Sequence, residues 1–139
     1  MKTLGLILGL FFTGLVANAQ TAEGVTVTVT IENILNENGK ILVALHTSET
    51  FMKGKGVDNF ETDAKKGAIT LTFENVAPGT YAISTIHDEN NNRRMDFDPS
   101  GMPGESYGMS GNEMAMGPPS FVDAQFEVTD EDLEFNIRF

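Results

Sequence analysis

Between Val25 and Ile31 the chain alternates without a break, with Val25, Val27, Val29 and Ile31 on one side and Thr26, Thr28 and Thr30 on the other. Successive side chains of an extended segment point to opposite faces, so this period of two predicts a half-buried strand with its valines in a core. The same alternation recurs at Ile69, Leu71 and Phe73, at Ala124, Phe126 and Val128, and at Leu133, Phe135, Ile137 and Phe139. No segment shows the 3.6-residue period of an amphipathic helix.

Turn chemistry punctuates these runs. Asn36-Glu37-Asn38-Gly39 supplies residues that tolerate positive φ, and the run Lys40 to His46 then reads as the second arm of a hairpin. Pro78-Gly79 makes a turn before a fourth strand from Thr80 to His87, proline presetting φ and glycine accepting the left-handed position. Thr47 to Lys66 reads as a loop with one short helical turn, anchored by Phe51 and Phe60. From Asp88 to Pro119 periodicity disappears altogether, and a loop of about thirty residues is far beyond the usual four to six. The expected fold is all-β: an antiparallel β-sandwich (immunoglobulin-like or prealbumin-like) of six to seven strands with one long loop, or else a partly open barrel.

Composition removes several classes of function. The chain has 139 residues, no cysteine, and nine Lys plus Arg against 20 Asp plus Glu, a net charge of −11. Disulfide staples, thiolate metal sites, a cysteine nucleophile and a lipid-modified cysteine all require a residue that is missing. Phosphate recognition needs clustered cations, so no nucleic-acid partner is expected.

Residues 1–19, MKTLGLILGLFFTGLVANA, carry one cation at Lys2, an apolar stretch from Leu4 to Val16, and the small-x-small sequence Ala17-Asn18-Ala19. This reads as a secretory signal peptide, because the apolar run is shorter than the roughly 18–20 residues that span a bilayer. Residues 20–139 then form a single domain, exported to the periplasm or secreted, with no membrane span. A protein or cell-envelope partner would be met there.

Within the long loop, counting from Asp88, oxygen-bearing side chains recur at positions 1, 3, 5, 9 and 11 as Asp88, Asn90, Asn92, Asp96 and Asp98. Calcium takes six to eight oxygens, and alternate residues of a tightly wound loop can aim at one centre, the carbonyl of Arg94 filling position 7. EF-hand loops use this spacing. Here Arg93 replaces the glycine of position 6 and Pro99 the closing glutamate of position 12, so the last carboxylate must come from Asp98 or from Glu105. The expected ligand set for Ca²⁺ is therefore Asp88, Asn90, Asn92, Arg94, Asp96, Asp98 and Glu105.

Other chemistries are weaker. Gly104-Glu105-Ser106-Tyr107-Gly108 fits G-x-S-x-G, but no helix follows and both histidines, His46 and His87, lie upstream, against the order of a nucleophile elbow. A metal-dependent or serine hydrolase using His87, Asp96, Glu105 and Ser106 is the alternative reading. Met95, Met102, Met109, Met114 and Met116 raise a periplasmic Cu(I) site as a second alternative, although flexible methionines are also the usual fillers of irregular gaps. His46 and His87 end two strands and read as structural hydrogen-bonding groups.

Four ordered strings now carry a resemblance: Pro78-Gly79-Thr80-Tyr81-Ala82-Ile83; His87-Asp88-Glu89-Asn90 with Asn92 and Asp96; Gly101-Met102-Pro103 with Glu105, Gly108 and Ser110; and Gly117-Pro118-Pro119-Ser120-Phe121 with Ala124 and Phe126. Together they resemble the exported bacterial proteins of domain of unknown function family 2141. The resemblance implies a secreted or periplasmic β-sandwich and no established activity. Where the family tends to have glycines this chain has Asn91 and Arg93, and where it has a lysine this chain has Gly104. The Pro-Gly-x-Tyr string is also similar to the start of a strand in transthyretin-like and collagen-adhesin repeat domains, which bears on fold class alone. Expressed in a bacterial host, the protein is expected to have an intact mass starting at Gln20; a mass that retains Met1 to Ala19 would remove the leader reading.

Overall fold

The computed structural model describes residues 24–111 and 118–139. The leader expected at residues 1–19, Met114 and Met116 lie outside these residues. Eight strands and one helical turn follow in order: β1 (Val25–Ile34), β2 (Lys40–His46), β3 (Asp58–Asp63), β4 (Gly67–Val76), β5 (Gly79–Asp88), β6 (Tyr107–Met109), α1 (Phe121–Ala124), β7 (Phe126–Val128) and β8 (Leu133–Arg138). They make two sheets, β4-β1-β8 and β3-β2-β5-β6, with β7 also paired to β5.

The alternation in β1 does what its period requires. Val27, Val29 and Ile31 are completely buried, while the intervening threonines are half-buried on the far face. Opposite them across the core stand Ile41, Val43 and Leu45 of β2 and Ile83 of β5, and the fully buried Phe73 of β4 and Ile137 of β8 complete one continuous core fed by both sheets. Phe60 of β3 tilts against Phe73 with ring centroids 5.0 Å apart.

Several expectations are corrected. β1 and β2 are not arms of one hairpin: β1 pairs antiparallel with β4 and parallel with β8, while β2 pairs with β3 and β5. Asn36 to Gly39 therefore carries the chain across the core from one sheet to the other, and Pro78-Gly79 does the same between β4 and β5. Asn, Gly and Pro signal that the chain reverses; they do not say whether it does so within a sheet or between layers. The purely antiparallel expectation fails at the β1–β8 pair. The strands number eight rather than six or seven, because β3 lies inside the expected Thr47–Lys66 loop and β6 inside the expected Asp88–Pro119 loop. β3 reads DNFETD, which is exposed along most of its length, and β6 is three residues long with a glycine at its centre, so neither leaves a periodic signature. Ala124 ends α1 instead of starting a strand.

A second, smaller apolar cluster covers the outer face of the larger sheet, where Phe51, Ala82 and Ala124 pack with Met109 and Phe121. Ser110 pins it, donating to the carbonyl of Ala124 and accepting from the amide of Ile83 at 2.9 Å. One flank of the molecule closes where β6 meets β8: a Cβ on Gly108 would lie 2.5 Å from Ile137 Cγ2 and 3.3 Å from the Arg138 carbonyl. Gly108→Val is therefore expected to cost about 1–3 kcal/mol by overpacking, read as a lower urea midpoint with an unchanged slope.

Candidate functional site

The expected cation loop begins where β5 ends. Pairing of Lys40 with Asp88 and of Ile41 with His87 carries β5 to the rim of the larger sheet. Gly39 at φ 64° lies so close to the Asp88 carbonyl that any Cβ there would collide with it, which locks the start of the loop against β2. The chain leaves at Glu89 and returns at Ser106, whose carbonyl accepts from the His87 amide at 2.8 Å before β6 resumes the ladder beside β5.

Asp88 is fully buried, and its carboxylate is the pin of the turn: Oδ1 accepts from the Asn92 amide at 3.1 Å and Oδ2 from the Arg93 amide at 2.7 Å. The turn is wound tightly enough to place Asn91 and Arg93 in the left-handed region, at φ 59° and 60°. Arg93 thus takes the conformation that glycine takes in EF-hand loops, at a cost of order 1–2 kcal/mol. Two observed contacts offset it: the bond to Asp88, and an ion pair from Arg93 Nε to Glu61 Oε2 at 3.2 Å, Glu61 being held in turn by Lys40 at 2.9 Å.

Asp96 is gripped from the opposite side. Asn92 Nδ2 donates to both its oxygens at 2.7 and 2.8 Å, and Asn90 Nδ2 donates to Oδ2. The carboxamide oxygens serve the backbone instead, Asn90 Oδ1 accepting from the Asn92 amide at 3.2 Å and Asn92 Oδ1 from the Arg94 amide at 3.1 Å. Glu105 closes the group, Oε1 accepting from the Glu89 amide at 3.1 Å and Oε2 from the Asp96 amide at 3.4 Å.

Of the seven expected ligands, Asp88, Asn90, Asn92, Asp96 and Glu105 thus belong to one hydrogen-bonded cluster. Arg94 enters it through its amide. Asp98 stands apart in its own small turn, accepting from the amides of Ser100 at 2.9 Å and Met102 at 3.0 Å. The Ser100 hydroxyl and then the Met102 amide hold the Asp98 carboxyl below its ordinary range. As the loop stands, no group of three or more His, Cys, Asp or Glu among the described residues is placed to hold a metal ion, and amide N–H groups of Asn90 and Asn92 face Asp96.

Glu89 is the member the spacing missed. Its Oε1 accepts from Asn36 Nδ2 at 3.0 Å and lies 3.9 Å from His87 Nδ1. His87 itself is fully buried, its Nε2 donating to the Asn38 carbonyl at 2.7 Å and its ring stacked on Phe139. His46 bonds Ser84 at 3.0 Å and Thr50 at 3.4 Å, and burial pulls its pKa down. Both rings are tied into the fold, as their strand-end positions suggested. The strand that follows Ser106 is β6 rather than a helix, in keeping with the rejection of a nucleophile elbow.

With fold and site in view, the chain is an all-β domain of two sheets that share one core and carry a polar cluster on one inter-strand loop. The family described as uncharacterized protein conserved in bacteria, DUF2141, matches residues 29–136, and the chain belongs to it. Neither the curated proteins nor the solved structures hold a match. No helix among the described residues is long and apolar enough to cross a membrane.

Burial pushes the Glu105 carboxyl above its ordinary 4.5, and the charges of Asp96 and Asp88 add to the rise, against the amides of Asp96 and Glu89. An acid whose folded pKa is raised stabilises the fold below about pH 4.5, and that contribution is lost as pH climbs through the raised value. Glu105→Gln is therefore expected to raise the melting midpoint at pH 7 in chelator, the gain shrinking as pH falls toward 4. A gain that persists at low pH would assign the effect to packing instead.

Proposed function

We propose that this protein is an exported, non-enzymatic domain whose Asp88–Glu105 loop binds Ca²⁺ and, once loaded, presents an ordered surface to a protein or cell-envelope partner. Its two sheets are read as an immunoglobulin-like or prealbumin-like sandwich. One observation carries the cation reading: four of the five side chains picked out by spacing, Asp88, Asn90, Asn92 and Asp96, share one hydrogen-bonded cluster with Glu105, although an independent turn separates Glu105 from Asp96. Half-turns of the Asn90 and Asn92 carboxamides about their terminal bonds exchange N–H for C=O toward Asp96, which sets two amide oxygens beside its carboxylate for a hard cation. Burial first, and then the charges of Asp96 and Asp88, raise the Glu105 pKa, and a divalent ion would relieve the repulsion among these carboxylates. Extracellular sites work at about 10⁻⁴–10⁻³ M Ca²⁺, so a site with modest affinity suffices there.

Thermal melts with Ca²⁺ and with chelator test this. Binding at a hundred times the dissociation constant adds about 2.7 kcal/mol, a rise of several degrees in the midpoint. Asp96→Asn and Glu105→Gln are expected to abolish that rise, each variant's Ca²⁺ melt being read against its own chelator melt. An unchanged midpoint across millimolar Ca²⁺ would overturn the proposal.

A further inference from the structure

β4 is one margin of the three-stranded sheet, and away from β1 its backbone edge pairs with no strand among the described residues. Exposed strand edges invite addition of another strand, and proteins usually guard them with charge, proline or bulges. β3, the neighbouring margin of the other sheet, is guarded by Asp58, Glu61 and Asp63. β4 is not. Over GAITLTFENV it has one charge, Glu74, and no proline, and from Ile69 to Phe73 its register against β1 is unbroken, the irregularities falling at its ends. Beside it an open groove of about 510 Å³ runs between β3 and β4, bordered by Phe60, Ile69 and Leu71. Ile69 and Leu71 lie on the core face of β4 yet are half-buried, whereas Phe73 on the same face is fully buried.

We infer that a second copy of this chain pairs along this edge, β4 against β4, antiparallel about a two-fold axis through Thr70. Three considerations select the occupant and the register. Core faces must stay on the same side of the joined sheet, so facing residues must have the same parity. With Thr70 opposite Thr70 of the partner subunit, Ile69 faces Leu71 of the partner subunit, and the two Ile69–Leu71 pairs extend the apolar lining that the groove leaves uncovered. In the same register Lys66, just ahead of the strand, faces Glu74 of the partner subunit, and Glu74 faces Lys66 of the partner subunit, both side chains being exposed in the single chain. A shift of one pair in either direction sets Lys66 opposite Thr72 or Val76 and loses both ion pairs. Elsewhere the net charge of −11 keeps copies apart, which confines association to the edge where opposite charges meet. The result is one six-stranded sheet, β8-β1-β4-β4-β1-β8, across the two subunits, independent of whether the loop holds an ion.

The test uses the absence of native cysteine. Directly opposed residues of antiparallel strands have Cα atoms about 4.5–5.5 Å apart, within disulfide reach, so Thr70→Cys is expected to give a covalent dimer on mild oxidation. Thr72→Cys, displaced from its own symmetry mate by about 14 Å, is expected to give none. Sedimentation velocity over a concentration series should show reversible dimers. Lys66→Glu and Glu74→Lys should each weaken dimerisation about tenfold, two attractive cross-strand pairs turning repulsive, and the double exchange should restore it to within about threefold. Both positions are exposed, so each variant should keep the native melting midpoint. A monomer at every concentration, equal cross-linking of Thr72→Cys and Thr70→Cys, or a double exchange that fails to restore association would each overturn the inference.

Discussion

Burial of the inward face of β1 is the interaction on which the other elements depend. Val27, Val29 and Ile31 lie at the middle of the core with no exposure, and β1 is the strand to which both β4 and β8 are hydrogen-bonded. A fully buried side chain of this size is worth about 1.5–3 kcal/mol, so these three residues alone are comparable with the net stability of a small domain. No disulfide supplements them, since the chain has no cysteine. Removing the β1 face would leave β4 and β8 without a common neighbour and β2 and β5 facing water.

The loop is a consequence of that frame. β5 ends in Asp88 because its pairing with β2 carries it to the rim, and β6 returns beside it because the His87 amide meets the Ser106 carbonyl. Glu105 is thereby fixed next to Glu89, sixteen residues away in sequence, with no local motif to place it there. Amide N–H groups from Asn90, Asn92 and the backbone hold the carboxylates of Asp88, Asp96 and Glu105 in the cluster.

Membership in an uncharacterized bacterial family adds no chemistry, so function must be argued from the site. Both histidines are engaged with fold partners on at least one ring nitrogen, His87 with the Asn38 carbonyl and His46 with Ser84. What distinguishes the loop is a hydrogen-bonded cluster of carboxylates and carboxamides, and what distinguishes the body is one long strand edge left without the charges that guard its neighbour.

The strands with one wet and one dry face were legible in the amino-acid sequence, because a period of two survives wherever one face is buried and the other is not. β1, β4, β7 and β8 were readable in this way, β2 and β5 from the turn residues ahead of them, and the spacing of Asp88, Asn90, Asn92 and Asp96 picked out the loop from local geometry alone. β3 and β6 were not readable, one being exposed on both faces and the other being three residues around a glycine. Turn residues announced reversals at Gly39 and Gly79, but the choice between folding back within a sheet and crossing to the opposite layer was made by which apolar faces could meet in one core. The same long-range decision brought Glu105 and Glu89 into the cluster and turned Asp98 out of it, since local spacing records where a side chain can point and only tertiary packing sets what it will find there.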